Sequence, residues 1–162
     1  MPGRVEQVFL NKDNEQNAAG IYGLEFYRLG LPTTVVIDDW LPVVNVYSNS
    51  DKEKRTLFAK LGDDNALWGP LIEKALAKFH GNYLHLESGS GEEGIRTLTG
   101  GPNEKHHHVK GQAPPAGYFA KLLKNDKDGS IMTSGSPDKD IDGILAGHAY
   151  TFVGAHQLKN GT

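Results

Sequence analysis

The stretch Ile21-Tyr22-Gly23-Leu24-Glu25-Phe26-Tyr27-Arg28-Leu29, followed by Gly30-Leu31-Pro32 and Thr33-Thr34-Val35-Val36-Ile37, decides the fold. Its first part alternates imperfectly between apolar and polar residues and carries three aromatic side chains, which favour β structure. Residues 33–37 form a β-branched run. The Gly-Leu-Pro tripeptide between the two parts predicts a turn, so the whole stretch predicts a β-hairpin.

A helix is predicted over residues 67–79, where apolar side chains recur with a period of 3.6 residues. Asp64 or Asn65 is expected to cap its start, and Pro70 suits the first turn, where its missing N–H is not needed. Gly81 is expected to end the helix. Glu73 and Lys74 are expected on its solvent face.

The remaining segments give shorter predictions. Strands are expected at residues 5–10, 43–47, 131–134 and 144–155, one helical turn at 95–98 and a helix at 118–125. Glycine and proline cluster at residues 88–94, 100–115 and 129–137, which predicts long loops. The pattern indicates an α+β chain with a helix-and-hairpin segment up to about residue 89 and a mostly β segment after it.

Composition excludes several classes of protein. The 162 residues carry a net charge of −3 and contain no cysteine, so disulfides and thiolate metal sites are excluded. No basic patch indicates nucleic-acid binding. No apolar run approaches the roughly 18 residues of a membrane span. The first residues lack an apolar signal segment, so a cytoplasmic location is expected.

Four motifs occur in order along the chain: Val36-Ile37-Asp38-Asp39-Trp40-Leu41-Pro42; Leu67-Trp68 with Leu71-Ile72-Glu73-Lys74-Ala75 and residues 77–83; Leu98-Thr99-Gly100-Gly101; and Gly147-His148-Ala149-Tyr150-Thr151. The ordered set resembles the calpain family of cysteine proteases. The resemblance covers nearly the whole chain, most strongly residues 20–101 and 143–155. It implies part of a papain-like protease core and hydrolysis of internal peptide bonds in protein substrates.

The resemblance also implies roles for individual residues. Residues 1–89 would be the C-terminal part of the helical, cysteine-side subdomain, and residues 90–162 the N-terminal part of the β-rich, histidine-side subdomain. His148 matches the catalytic histidine, which acts as general base and acid for a cysteine. Gly89 and Gly147 match positions where the substrate backbone passes close, which a side chain would obstruct.

The chain departs from the family pattern in its catalytic groups. The family's cysteine would precede Met1 and its asparagine would follow Thr162, so the chain alone is expected to be inactive. A non-catalytic calpain-like module that binds peptides or partners is the alternative. No cofactor or metal is expected in this chain. Calcium belongs to the family, but Ala66 stands at a family ligand position. An apolar surface left by the missing helix would allow self-association.

Four other patterns have competing interpretations. Residues 89–94 match a nucleotide-binding glycine pattern, but Glu92 and Glu93 would repel phosphate. Residues 138–143 resemble half of an EF-hand loop, although an acidic turn is the preferred interpretation. Residues 106–108 are three histidines, interpreted as a flexible loop rather than a zinc site. Asp38 and Asp39 resemble paired acid and base carboxylates, but neighbours on a strand face opposite sides, so they are expected to bond turn amides. Core positions are expected for four aromatic residues, Trp40, Trp68, Phe79 and Tyr83.

Overall fold

The computed structural model describes residues 4–12, 17–48 and 51–158. The helices are α1 (Arg4–Val8), α2 (Trp68–His80), α3 (Gly91–Thr99) and α4 (Tyr118–Lys127), with a 3₁₀ turn at Tyr83–Leu86. The strands are β1 (Ile21–Arg28), β2 (Leu31–Asp38), β3 (Val43–Ser48), β4 (Asp51–Thr56), β5 (Thr133–Gly135) and β6 (Ala149–Thr151). They pair as β1–β2, β3–β4 and β5–β6, each antiparallel. The α+β class expected from the sequence is confirmed.

The chain forms two compact units. The first contains Met1–Gly89 and Thr97–Gly100, and the second contains Ser90–Arg96 and Gly101–Thr162. Helix α3 therefore contributes its first residues to the second unit and its last residues to the first. The assignment of these units to a cysteine side and a histidine side stays a prediction.

The predicted hairpin is confirmed, with a different turn. Arg28 pairs with Leu31, so that Leu29 and Gly30 alone form the loop, while Leu31 and Pro32 belong to β2. Both loop residues have positive φ, +52° for Leu29 and +80° for Gly30. This is the twist of a type I′ turn, which matches the twist of the flanking strands. The expected Gly-Leu-Pro turn was wrong because a leucine at positive φ is not a usual turn signal.

The core of the first unit lies between one face of this hairpin and α2. Leu24 and Phe26 are fully buried, and Val35 and Ile37 face the same way from the partner strand. From α2, Leu71 and Ala75 are buried one helical turn apart. Each large side chain buried here contributes about 1.5–3 kcal/mol. The face of the hairpin formed by alternate residues thus packs against the face of α2 formed by residues one helical turn apart.

Three cations hold α2 to the hairpin at its edges. Lys74 Nζ lies 2.5 Å from Asp38 Oδ1 and 2.6 Å from the carbonyl oxygen of Trp40. Lys78 Nζ donates to the carbonyl oxygen of Val36 at 2.7 Å. Arg28 donates to the carbonyl oxygen of Phe79 at 2.8 Å and lies over its ring. The two lysines of α2 thus bind oxygens at or next to the end of β2, and the arginine of β1 binds an oxygen of α2.

The ends of α2 follow the sequence only in part. Gly81 ends the helix at φ +109°, as predicted. The expected cap was wrong: Leu67 occupies the N-cap without a side-chain bond, while Asp64 accepts from the amide of Ala66 at 3.0 Å. The expected solvent face was also wrong. The Lys74 side chain is only 19% exposed, and Glu73 accepts from the amide of Ala59 at 2.9 Å.

Other local predictions have mixed outcomes. Residues 5–10 were expected to be a strand, but Arg4–Val8 is helical and only Phe9 makes a β-bridge, to Leu24. The strand at Val43–Ser48 is confirmed, whereas its partner β4 was missed because Asp51–Thr56 is almost wholly polar. The expected helical turn at 95–98 is longer, and the helix starting at Tyr118 is confirmed.

Of the four aromatic residues expected in the core, two contradict the prediction. Trp40 is 83% exposed and Trp68 is 51% exposed. Phe79 packs against the core and meets Phe26 edge to face at 5.6 Å. Tyr83 is partly buried and stacks on Phe58 at 5.0 Å. Large apolar side chains are thus left on the surface of the first unit.

Replacing Leu29 by asparagine should stabilise the protein. Leu29 is 93% exposed, so the change removes little packing, while asparagine tolerates positive φ far better than leucine. We expect the free energy of unfolding to rise by about 0.5–1 kcal/mol in urea denaturation. Leu31→Asn is the matched control, because Leu31 is also exposed and lacks positive φ. Equal effects of the two variants would contradict a type I′ strain at Leu29.

Acid should weaken the Asp38–Lys74 contact. The hydrogen bond from Lys74, then that from the Trp40 amide, holds the pKa of Asp38 below its ordinary value of 3.8. Its stabilising contribution is therefore complete above about pH 3.8 and is lost as the pH falls through the lower folded value. The stability difference between wild type and Asp38→Asn should shrink below that pH. Lys74→Met should reduce this pH-dependent difference, because only the hydrogen bond from the Trp40 amide and the charge of Lys78 then lower the pKa of Asp38. An undiminished difference would refute the pairing.

Candidate active site

His148 lies in the second unit, immediately before β6. Strand β6 pairs with β5 through Gly135 and Ala149, Ser134 and Tyr150, and Thr133 and Thr151. The His148 side chain is exposed, and its ring meets the ring of Tyr150 edge to face, with centroids 5.1 Å apart and an interplanar angle of 83°. The imidazole is therefore open to solvent on one side and in contact with an aromatic ring on another.

The four backbone amides leading to His148 are each hydrogen-bonded, although no helix or strand contains them. The acceptors are Tyr150 Oη for Leu145 (3.0 Å), Asp140 Oδ1 for Ala146 (2.7 Å), the Pro137 carbonyl for Gly147 (2.8 Å) and Ser136 Oγ for His148 (2.8 Å). Three of these acceptors belong to side chains. Side-chain acceptors thus supply here what a neighbouring strand supplies in a sheet.

A positive φ angle at Gly147 explains why the strand expected over residues 144–155 begins later than predicted. Asp142, Gly143 and Gly147 have φ of +35°, +88° and +58°, values that an extended strand does not contain. Ile141 and Ile144 pair across the first two of these residues. The chain can run straight only after Gly147, so β6 begins at Ala149.

The two glycines predicted to contact substrate have different local structures. Gly147 has positive φ, and a Cβ built there would meet nothing within 4 Å. Gly89 belongs to the first unit and is exposed, and a Cβ there would also meet nothing. Backbone strain therefore favours glycine at Gly147, whereas no contact within the described chain requires it at Gly89. Their roles toward substrate stay predictions.

The described residues contain no group of three or more His, Asp or Glu side chains that could hold a metal ion. In the segment resembling half an EF-hand, Asp140 is instead the acceptor for the amide of Ala146. Ala66 presents a methyl group and hydrogen-bonds through its amide to Asp64. The expectations about calcium and other cofactors stay predictions.

The histidine run and the glycine-rich segment are both in contact with neighbouring elements of the second unit. The rings of His106 and His108 contact the ring of Tyr118, with centroids 4.5 and 5.4 Å away. Glu92, in the first turn of α3, pairs with Lys105 at 2.8 Å. That hydrogen bond lowers the pKa of Glu92, which keeps it anionic. A carboxylate at the start of α3 opposes phosphate binding there.

Asp38 bonds a turn amide as expected, whereas Asp39 takes part in a hydrogen bond through its own backbone amide. Asp38 Oδ1 accepts from the amide of Trp40 at 2.9 Å. The backbone amide of Asp39 donates to the carbonyl oxygen of Gly20 at 3.0 Å. Asp38 is also bound to Lys74, so its role in the first unit is structural.

Ser136 and Asp140 were missed by sequence reasoning as supports of His148. A small polar residue before a proline, as in Ser136-Pro137, and an aspartate in an acidic turn were available signals. Neither signal identifies the amide that the side chain will bind, because the partners lie 6 and 12 residues away along the chain.

Gly147→Ala should destabilise the turn before His148. Alanine finds open space but must adopt φ near +58°, which costs about 1–2 kcal/mol. Amide exchange at residues 145–148 should therefore accelerate. Gly135→Ala is the matched control, because it also finds open space and has no positive φ. Accelerated exchange in both variants, or in neither, would contradict this account.

No helix among the described residues is long and apolar enough to cross a membrane.

The sequence profile described as "Calpain family cysteine protease" matches residues 2–162. The chain is 32% identical to the calpain-2 catalytic subunit of Homo sapiens over 161 residues, covering 94% of this chain and 21% of that protein.

Invertebrate relatives give similar matches. Calpain-B of Drosophila melanogaster is 34% identical over 153 residues, covering 88% of this chain and 15% of that protein. Calpain clp-4 of Caenorhabditis elegans is 32% identical over 155 residues, covering 91% and 20%. The chain thus spans about a fifth of the length of the relatives it matches, or less. The chain belongs to the calpain family of cysteine proteases.

Proposed function

We propose that this chain is the histidine-bearing part of a calpain-type cysteine endopeptidase that hydrolyses internal peptide bonds of proteins in the cytoplasm. The observation that carries the proposal is His148: it lies in the family's Gly-His-Ala-Tyr motif, its side chain is exposed, and its backbone is fixed by hydrogen bonds. The nucleophile comes from a cysteine outside these 162 residues, which contain none.

His148 moves the proton in both halves of the reaction. Its imidazole takes the proton of the cysteine thiol as the sulfur attacks the scissile carbonyl carbon. The resulting imidazolium gives that proton to the leaving amine, so that the amide C–N bond breaks and a thioester remains. The imidazole then activates the water that hydrolyses the thioester and returns the proton to the sulfur.

Gly147 supports close passage of a substrate backbone beside His148. Its φ of +58° turns the chain, and no described residue other than its two chain neighbours has an atom within 4 Å of where its Cβ would be. An extended peptide can therefore approach the imidazole without meeting a side chain at this position. We assign Gly89 the same role in the first unit. Ala66 offers no side-chain oxygen as a calcium ligand.

The exposed apolar side chains of the first unit support a second property. Trp40, Trp68 and Phe58 are each about half exposed or more, and exposed apolar groups of this size favour association. Self-association of the 162-residue chain follows from the same proposal.

Activity of the chain by itself and within the longer protein gives the test. The purified 162-residue chain should not hydrolyse unfolded protein substrates, because it has no thiol. The protein encoded by the complete native transcript should hydrolyse them and lose activity on thiol alkylation. His148→Ala should lower its kcat/KM by about 10³-fold or more. His156→Ala, an exposed histidine of the same unit, is the matched control and should be nearly neutral.

Three outcomes would contradict the proposal. These are cleavage by the 162-residue chain that His148→Ala abolishes, full activity of the longer His148→Ala protein, and a transcript without a cysteine segment. The last would support the alternative, a calpain-like module that binds peptides without cutting them.

A further inference from the structure

Ser136 lies opposite His148 and hydrogen-bonds both its backbone amide and its backbone carbonyl. The Ser136 amide donates to the His148 carbonyl at 2.9 Å. In return, the His148 amide donates to Ser136 Oγ at 2.8 Å. We propose that Ser136 is a positioning residue that fixes the backbone of His148, and thereby its imidazole, for the proton transfers; this inference rests on the proposed function.

The pairing continues the register of β5 and β6 by one step. Gly135 pairs with Ala149, so the next opposite residues are Ser136 and His148. A regular antiparallel pair of this kind would exchange two backbone hydrogen bonds. Only one of them is between backbone groups; in the other, the serine hydroxyl replaces its own carbonyl as the acceptor. The ladder is thus completed by a side chain.

The hydroxyl also has a partner for its proton. Ser136 Oγ lies 2.5 Å from the carbonyl oxygen of Leu145 and 3.1 Å from that of His148. It therefore accepts from one backbone group while donating to another, which an alanine methyl group could not do. Both ends of the four-residue turn before β6 are tied to this one oxygen.

The position of the imidazole depends on this arrangement. His148 is exposed, so packing alone does not fix its backbone. The Ser136 hydroxyl fixes the backbone amide of His148, and the contact with the Tyr150 ring then restricts the orientation of the imidazole. Tyr150 is itself bound through its hydroxyl to the amide of Leu145. Because a displacement of about 1 Å can cost about 10²-fold in rate, such a support matters for catalysis.

The first experiment measures the support without any need for activity. In the 162-residue chain, Ser136→Ala should raise the hydrogen-exchange rate of the His148 amide at least about tenfold. It should also weaken the nuclear Overhauser effects between the ring protons of His148 and Tyr150. Ser136→Thr keeps a hydroxyl and should restore both. Ser134→Ala makes the same substitution two residues earlier in β5 and should change neither. Unchanged His148 exchange in Ser136→Ala would overturn the inference.

The second experiment measures the consequence in the complete protein. Ser136→Ala should lower kcat about tenfold or more with little change in KM, Ser136→Thr should recover most of the loss, and Ser134→Ala should be neutral. If exchange at His148 rises but kcat is unchanged, Ser136 is not a positioning residue. Failure of the proposed function shows differently: activity would survive His148→Ala, whatever Ser136→Ala does.

Discussion

The burial of one hairpin face by α2 is the constraint on which the first unit depends. Leu24 and Phe26 have no exposed surface, and the helix residues that cover them are one turn apart. A strand buries alternate residues and a helix buries every third or fourth residue, so the two elements pack only where these buried faces lie against each other along one line. Arg28, Lys74 and Lys78 bind hairpin or helix oxygens beside that line, which fixes the helix against further sliding.

The hairpin and α2 could be predicted from sequence because both bury a periodic set of apolar residues. The details that could not be predicted are those decided by partners far along the chain. Lys74 was expected in solvent because its helix position alone does not reveal Asp38, 36 residues away. Strand β4 was missed because Asp51–Thr56 has no apolar alternation and is defined by its pairing with β3. Trp40 was expected inside because residue type was the only available guide.

The candidate site shows the opposite balance between sequence and structure. His148 was found through the order of four short motifs, which no periodicity would reveal. The segment that leads to His148 has no regular secondary structure. In it, a hydroxyl, a carboxylate and a phenol each accept a hydrogen bond from one backbone amide. Such bonds depend on turn angles, and those angles depend on Gly143 and Gly147 in turn. Sequence therefore indicates the reacting group more readily than its supports.

The lysine contacts of α2 have a further consequence for the edge of the hairpin. Among the described residues β2 pairs only with β1. The carbonyl groups of Val36 and Asp38 accept from Lys78 and Lys74, at 2.7 and 3.1 Å. Unpaired strand edges are templates for intermolecular β-sheet growth, and lysines commonly block them. The two side chains that join helix to hairpin therefore also protect this edge against amyloid-like aggregation.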